Sequence, residues 1–125
     1  MARILLADDE ESIRGFVRRA LELDGHEVEL ASDGGEALDR LIEEPDGYDL
    51  LLSDIRMPVM DGIALALSAA RDCPRMTILL MTGFADQRER AADLDLLIHD
   101  VVTKPFSLAQ IREAVNDALT SRRAA

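Results

Sequence analysis

Cysteine, aromatic residues and long apolar runs are scarce in this sequence of 125 residues. Its one cysteine, Cys73, cannot form an internal disulfide, which favours a reducing cytoplasm over an oxidising compartment. Three Phe, one Tyr and no Trp leave the core to be built mainly from aliphatic side chains and Met. No apolar run reaches the roughly 18 residues of a membrane-spanning helix, and the start MARILLADDEE lacks the apolar stretch of a signal peptide. These absences predict a cytoplasmic globular protein.

Positive charge is also in short supply. Lys and Arg total 14 against 25 Asp and Glu, which gives a formal net charge of −11. A surface with this excess repels phosphate backbones and anionic lipids, so we expect neither nucleic acid nor a membrane as a partner. The same excess suits a protein that binds cations or basic protein surfaces.

Two periodicities of apolar residues alternate along the chain. Short apolar or alternating runs indicate strands, and the segments after them repeat their apolar residues at helical spacing. The predicted strands are Arg3–Ala7, Glu27–Ala31, Asp49–Ser53, Met76–Met81 and Ile98–Val102. The predicted helices are Glu11–Leu23, a second that stops before Pro45, a third across Ile63–Ala70, a fourth across Asp86–Leu94 and a last one after an N-cap at Ser107.

This β-α unit, repeated five times, predicts an α/β fold. The strands would form a doubly wound, five-stranded parallel sheet with five helices on its two faces. Right-handed crossovers favour the strand order 2-1-3-4-5, which is flavodoxin-like. We expect one folded domain over residues 1–121, a frayed tail over 122–125 and no output domain.

Polar side chains follow four of the predicted strands where each one ends. Asp8 and Asp9 follow the first strand, Asp54 the third, Thr82 the fourth and Lys104 the fifth. Parallel strands bring their carboxyl ends to one edge of the sheet, and ligands bind at that edge in doubly wound folds. We therefore expect acids, a hydroxyl and an ammonium group to converge there.

The types of these side chains point to metal-assisted phosphate chemistry. Clustered carboxylates repel one another and raise each other's pKa, and a divalent cation relieves that repulsion. Carboxylates, carbonyls and waters are the hard oxygen ligands that Mg²⁺ prefers, and bound Mg²⁺ readily accepts phosphate oxygens. A carboxylate such as Asp54 can act as a nucleophile and become an acyl phosphate, with Lys104 and the metal stabilising the phosphoryl oxygens.

Four motifs at these strand ends together resemble the receiver domains of two-component response regulators, which have the CheY-like fold. The motifs are ADDE, SDIRMPVMDG, MTG and TKPF, in that order along the whole chain. The resemblance implies that Asp54 is the phosphoacceptor and, with Asp9, a direct Mg²⁺ ligand. It also implies that Asp8 acts mainly through bound water and that the backbone carbonyl of Arg56 completes the protein ligands.

The resemblance further implies a signalling switch rather than an enzyme with a separate substrate. A sensor histidine kinase or a histidine phosphotransfer protein would supply the phosphoryl group, and the domain would catalyse only its own phosphorylation and dephosphorylation. Thr82 and Lys104 would contact the phosphoryl oxygens, and the Lys104–Pro105 bond would be cis. Phosphorylation would draw Thr82 inward and reshape the face made by the fourth helix, fifth strand and last helix, where a downstream protein binds.

One position departs from the pattern of many receivers, which carry Tyr or Phe three residues before the site lysine. This chain has Val101 there, and a valine has no ring to swing and is stiff at χ1. We expect Phe84, two residues after Thr82, to carry the conformational readout instead.

Stretches around the site are also similar to stand-alone CpdR-like regulators, which act as protease adaptors. They are DIRMPVMDGIALA, MTGFA and TKPFSL. A flagellar-motor-type target and a phosphorelay intermediate remain open alternatives for the output.

Other functions fit less well. A magnesium-dependent phosphohydrolase places a second Asp two residues after the first, where this chain has Arg56. A nucleotide-binding domain needs a glycine-rich loop after the first strand, where this chain reads DDEES. A pseudo-receiver that serves only as a docking module would keep the fold and lose the site, yet every site residue is present. Taken alone, Asp8 and Asp9 could simply cap the first helix, and Asp61 reads as the start of the third.

Overall fold

The computed structural model describes residues 1–83, 89–91, 94 and 96–124. The strands are β1 (Arg3–Ala7), β2 (Glu27–Ala31), β3 (Leu50–Asp54), β4 (Thr77–Thr82) and β5 (Asp100–Thr103). The helices with defined bounds are α1 (Glu11–Glu22), α2 (Gly34–Glu43), α3 (Gly62–Asp72) and a C-terminal helix (Leu108–Ala124). The predicted fourth helix lies partly outside the described residues, and residues 89–91 within it are helical.

All five strands are parallel and lie in the order β2-β1-β3-β4-β5, so the predicted doubly wound sheet is confirmed. Every residue of β3 is buried, as expected for a central strand with helices on both faces. The edge strand β2 is only half-buried and alternates polar with apolar residues. β3 lies between β1 and β4 in the sheet. Because these strands are parallel, their carboxyl ends lie next to one another.

Successive residues of each strand point into two separate cores, one on each side of the sheet. One core packs α2 and α3, together with Ala91 and Leu94, against side chains such as Leu51 and Leu80. The other packs α1 and the C-terminal helix against Leu6 and Leu52. The fully buried side chains of large volume are all Leu or Ile, as the shortage of aromatic residues predicted.

Three strands start later than predicted, and β4 runs over Thr77–Thr82 rather than Met76–Met81. β5 begins at Asp100 rather than Ile98. The Ile98 side chain packs in the core, but its amide donates to the carbonyl of Leu94 in the preceding turn instead of to a strand. β3 is shifted by one residue, so Asp54 is the last residue of the strand and pairs with Met81. The C-terminal helix continues through Ala124, since the sequence there contains no Gly or Pro to end it.

Helix termini follow the predicted capping residues. The Asp61 carboxylate accepts a hydrogen bond from the Ala64 amide at 2.9 Å and begins α3. Ser107 Oγ accepts from the Gln110 amide at 3.1 Å, and the Gln110 side chain accepts from the Ser107 amide in return. α1 differs, because its N-cap is Glu10 and no side chain caps it. Asp8 and Asp9 are therefore not its capping residues.

Candidate functional site

Three carboxylates meet where β1 and β3 end. Oxygen atoms of Asp8, Asp9 and Asp54 all lie within 4.8 Å of one another. Asp8 is fully buried, Asp54 is 6% exposed and Asp9 is exposed. The structure thus brings together the three acids that the sequence placed at neighbouring strand ends, and it leaves one of them open to solvent. Three oxygen donors this close can serve as ligands of a hard divalent cation.

Lys104 follows β5 and joins this cluster from the other side. Its Nζ lies 2.9 Å from Asp8 Oδ2 and 3.4 Å from Asp54 Oδ2. The Lys104 backbone amide donates to the carbonyl of Thr82 at 2.7 Å, and the Lys104–Pro105 peptide bond is cis. A buried ammonium group is costly unless it is paired, and here two carboxylates pair with it.

Burial and neighbouring charges set the ionisation of the site. Burial raises the pKa of Asp54 to about 6, assisted by the negative charges of Asp8 and Asp9, while Lys104 opposes the rise. Burial alone would lower the pKa of Lys104, but hydrogen bonds and Coulomb attraction from Asp8 and Asp54 outweigh it, so this pKa is raised. The ammonium group therefore stays charged, whereas burial opposes the ionisation of Asp54.

The backbone of Asp54 is fixed by two residues that sequence reasoning missed as site residues. Ser53 Oγ donates a hydrogen bond to the Asp54 carbonyl at 2.9 Å. A Cβ atom on Gly62 would lie 2.1 Å from the same carbonyl oxygen, so only glycine allows α3 to start this close to the end of β3. The Asp-Gly pair in SDIRMPVMDG is the sequence signal that pointed to a helix start there.

A third missed residue, Arg14, lies on α1 and acts on the loop after β1. Its Nη1 donates to the backbone carbonyl of Asp8 at 2.7 Å. The sequence carries no sign of this contact, because an arginine four residues into an amphipathic helix usually points to solvent. The contact places a cation beside the acidic cluster.

The other predicted site residues are partly described. Thr82 ends β4 and is 1% exposed, and Arg56 is exposed two residues after Asp54. Val101 lies in β5 and packs against the core that contains α2 and α3. Phe84 lies outside the described residues, so its predicted role in the switch stays a prediction.

The sequence pattern of the response regulator receiver domain matches residues 4–116, which include every one of these site residues. This chain belongs to the response regulator receiver family. Receiver domains take phosphoryl groups from histidine kinases or phosphotransfer proteins and bind Mg²⁺ at an acidic pocket. The family assignment predicted from the four strand-end motifs is therefore confirmed.

Similar proteins agree with this assignment. The receiver domain is 42% identical over 120 residues to the response regulator receiver protein CpdR of Brucella abortus (strain 2308), covering 94% of this chain and 93% of that protein. This similarity supports the predicted resemblance to CpdR-like regulators.

Solved structures agree as well. The crystal structure of a response regulator receiver domain protein from Clostridium thermocellum aligns with a TM-score of 0.89 and 27% identity, covering 99% of this chain and 98% of that one. The response regulator TrrA from Thermotoga maritima, crystallised in complex with Mg²⁺-BeF, aligns with a TM-score of 0.83 and 30% identity, covering 94% and 99%. No helix within the described ranges of this receiver domain is long and apolar enough to cross a membrane.

Proposed function

We propose that this receiver domain is a phosphorylation switch that accepts a phosphoryl group on Asp54 in the presence of Mg²⁺. The donor is a phosphohistidine on a sensor histidine kinase or a histidine phosphotransfer protein. The observation that carries the proposal is the cluster of Asp8, Asp9 and Asp54 within 4.8 Å, with the Lys104 ammonium group 3.4 Å from Asp54. Neither a docking module nor a phosphohydrolase with a second Asp at position 56 accounts for this arrangement.

The chemistry follows from these side chains. An ionised Asp54 oxygen attacks the phosphorus atom, the P–N bond to the histidine breaks, and its electron pair stays on the imidazole nitrogen. The product is an acyl phosphate, which water later hydrolyses to restore the carboxylate. Asp9, Asp54 and the Arg56 carbonyl would hold Mg²⁺ directly, with Asp8 acting mainly through water, and the bound ion would supply positive charge for the phosphoryl oxygens.

Lys104 supplies the second positive charge. In the unphosphorylated domain its Nζ is shared between Asp8 and Asp54. Phosphorylation moves negative charge from the Asp54 carboxylate onto the phosphoryl oxygens, and the ammonium group can follow it without leaving Asp8. Thr82 donates its hydroxyl hydrogen to another phosphoryl oxygen. The pull on Thr82 is the first step of the conformational change.

The output we propose is a change in affinity for a partner protein. The face that changes comprises the predicted fourth helix, β5 and the C-terminal helix, with Phe84 rather than Val101 as the side chain that reads the site. Residues 1–121 form the switching unit, and the partner is a protein because the net charge of −11 disfavours nucleic acid. The resemblance to CpdR-like regulators implies a regulated protease as the downstream system, and the single buried Cys73 suits the cytoplasm.

Phosphorylation of the purified domain by phosphoramidate tests this function. With Mg²⁺, we expect intact-mass spectrometry to show one added phosphoryl group on the parent chain. The Asp54→Asn chain should show no added phosphoryl group. Asp117→Asn is the matched control, because Asp117 is an exposed acid whose partner is His99 rather than a site residue. Undiminished labelling of Asp54→Asn would refute the assignment of the acceptor.

A further inference from the structure

Every polar group of Asp8 is held by another part of the protein. Its amide donates to the Ala31 carbonyl at 3.2 Å, and its Oδ1 accepts from the Glu10 amide at 2.9 Å. Its Oδ2 accepts from Lys104 Nζ at 2.9 Å, and its backbone carbonyl accepts from Arg14 Nη1 at 2.7 Å. The first three bonds fix the strand end, the start of the turn and the side chain, whereas the fourth fixes the peptide unit that follows.

That peptide unit joins Asp8 to Asp9. It is planar and rigid, so the direction of the Asp8 carbonyl determines ψ of Asp8 and φ of Asp9. These two angles decide where the Cα–Cβ bond of Asp9 points. Within the described part of the chain, no hydrogen bond or ion pair holds the exposed Asp9 carboxylate itself. The direction of this carboxylate therefore depends on its backbone.

We propose that Arg14 is a positioning residue that aims Asp9 at the metal by holding the peptide unit between Asp8 and Asp9. This inference rests on the proposed function, since it gives Arg14 a role in Mg²⁺ binding. The half-buried arginine reaches back from α1 to the loop that precedes its own helix, and its guanidinium donates to the Asp8 carbonyl at 2.7 Å. Residues behind the ligands of a metal commonly tune its affinity in this way.

The charge of Arg14 and its hydrogen bond to the Asp8 carbonyl have opposite expected effects on Mg²⁺ binding, so a measurement can distinguish them. A guanidinium beside a cation site repels Mg²⁺, so removing its charge should tighten binding if Coulomb repulsion were its main effect. Removing a bond that aims a ligand should weaken binding. The sign of the change in the Mg²⁺ dissociation constant therefore distinguishes a positioning residue from a neighbouring charge.

The experiment compares Arg14→Met with Arg18→Met by calorimetric titration of the metal-free domain with MgCl₂. Both substitutions remove one positive charge from α1, and Arg18 lies one turn further along, where it pairs with Glu22 on the exposed face. We expect Arg14→Met to weaken Mg²⁺ binding roughly 10-fold or more, Arg14→Lys to recover part of the loss, and Arg18→Met to leave the constant near that of the parent. The Asp9 amide resonance of the metal-free protein should shift in Arg14→Met and stay in place in Arg18→Met.

Several results would overturn the proposal. Unchanged Mg²⁺ binding by a folded Arg14→Met protein would show that the hydrogen bond does not aim Asp9, and tighter binding would show that the charge of Arg14 is its main effect on the site. Equal weakening in Arg18→Met would assign the effect to a general disturbance of α1 rather than to the hydrogen bond at the Asp8 carbonyl. If the parent binds no Mg²⁺ at all, the proposed function fails and this inference fails with it. If the parent binds Mg²⁺ and Arg14→Met binds it equally well, the proposed function is retained and the positioning role of Arg14 is refuted.

Discussion

Asp54 is a carboxyl group that burial favours in its neutral form and that the proposed chemistry requires in its charged form. Its pKa of about 6 lies above the ordinary 3.8. The folded state therefore binds this proton more tightly than the unfolded state, so the contribution of Asp54 to stability falls as the pH rises from about 4 to about 6 and stays low above that.

This sign leads to a test with Asp54→Asn in the absence of divalent cations. Near pH 8 we expect the substitution to raise the free energy of unfolding by on the order of 2 kcal/mol, because it removes a charge that is buried at a cost. The gain should shrink as the pH falls through about 6 and vanish only well below about 4, where Asp54 of the parent is protonated in both the folded and the unfolded state. Urea unfolding at several pH values measures it. A gain that is the same at both ends of this range would contradict the raised pKa.

The sequence predicted the residues that form the site, but it did not predict the hydrogen bonds that fix their backbone. Asp8, Asp54 and Lys104 were found because each follows an apolar strand, and strands have a strong sequence pattern. Arg14 and Ser53 were missed because their hydrogen bonds go to backbone carbonyls, which any residue offers. A contact of this kind depends on the direction of one peptide unit and leaves no pattern in a single sequence.

At the level of elements, β3 and α3 are joined with little space between their backbones. The Gly62 amide donates to the Ile55 carbonyl at 2.7 Å, and the helix starts against the backbone of Asp54 itself. The Asp61 side chain caps α3 and also meets Arg90 of the helical residues 89–91 at 3.1 Å. Three elements are therefore linked within a few residues of the acceptor.

Substitution of Gly62 by alanine tests this join. Its Cβ would lie 2.1 Å from the Asp54 carbonyl oxygen, and backbone on both sides would have to shift. We expect a loss of roughly 1–3 kcal/mol in the free energy of unfolding, together with weaker Mg²⁺ binding. Gly83→Ala is the matched control beside Thr82, because a Cβ there meets nothing within 4 Å. Thermal unfolding of both variants compares them, and equal stabilities would argue against a tight join.

Element boundaries show what apolar patterns can and cannot predict. β1 and β2 run over the predicted residues, since each is bounded by charged or turn-forming residues that break the pattern. β5 started later than expected because Ile98 belongs to the core while its backbone belongs to a turn. An apolar pattern predicts which side chains face the core, whereas backbone pairing also depends on the neighbouring strand.

Over the whole molecule, the formal net charge of −11 makes every acid a little costlier to ionise and opposes compaction. Arg3, Arg40 and Arg112 offset part of this through ion pairs that connect different elements. Such exposed pairs contribute about 1 kcal/mol or less each. The three site acids lie within 4.8 Å of one another, and two of them pair with the ammonium group of Lys104.

Two cations should therefore stabilise the domain by different routes. NaCl should raise the melting temperature modestly by screening the whole surface. MgCl₂ should raise the melting temperature further by binding at the site. At about 100 times the dissociation constant, this binding adds roughly 2.7 kcal/mol to the free energy of unfolding. Asp9→Asn should remove most of the Mg²⁺ effect and keep the NaCl effect, whereas Glu11→Gln, an equal loss of one exposed negative charge, should keep both. An Asp9→Asn protein that Mg²⁺ stabilises as strongly as the parent would exclude the ligand role.

The ion pair between Lys104 and Asp8 spans 96 residues of sequence. During synthesis a ribosome releases the acids early and the lysine late, because domains emerge from the amino end at about 5–20 residues per second. A nascent chain that has exposed β1 and β3 but not β5 has the acceptor carboxylate without the cation that pairs with it. The proposed acceptor site is therefore complete only after β5 and Lys104 have left the ribosome.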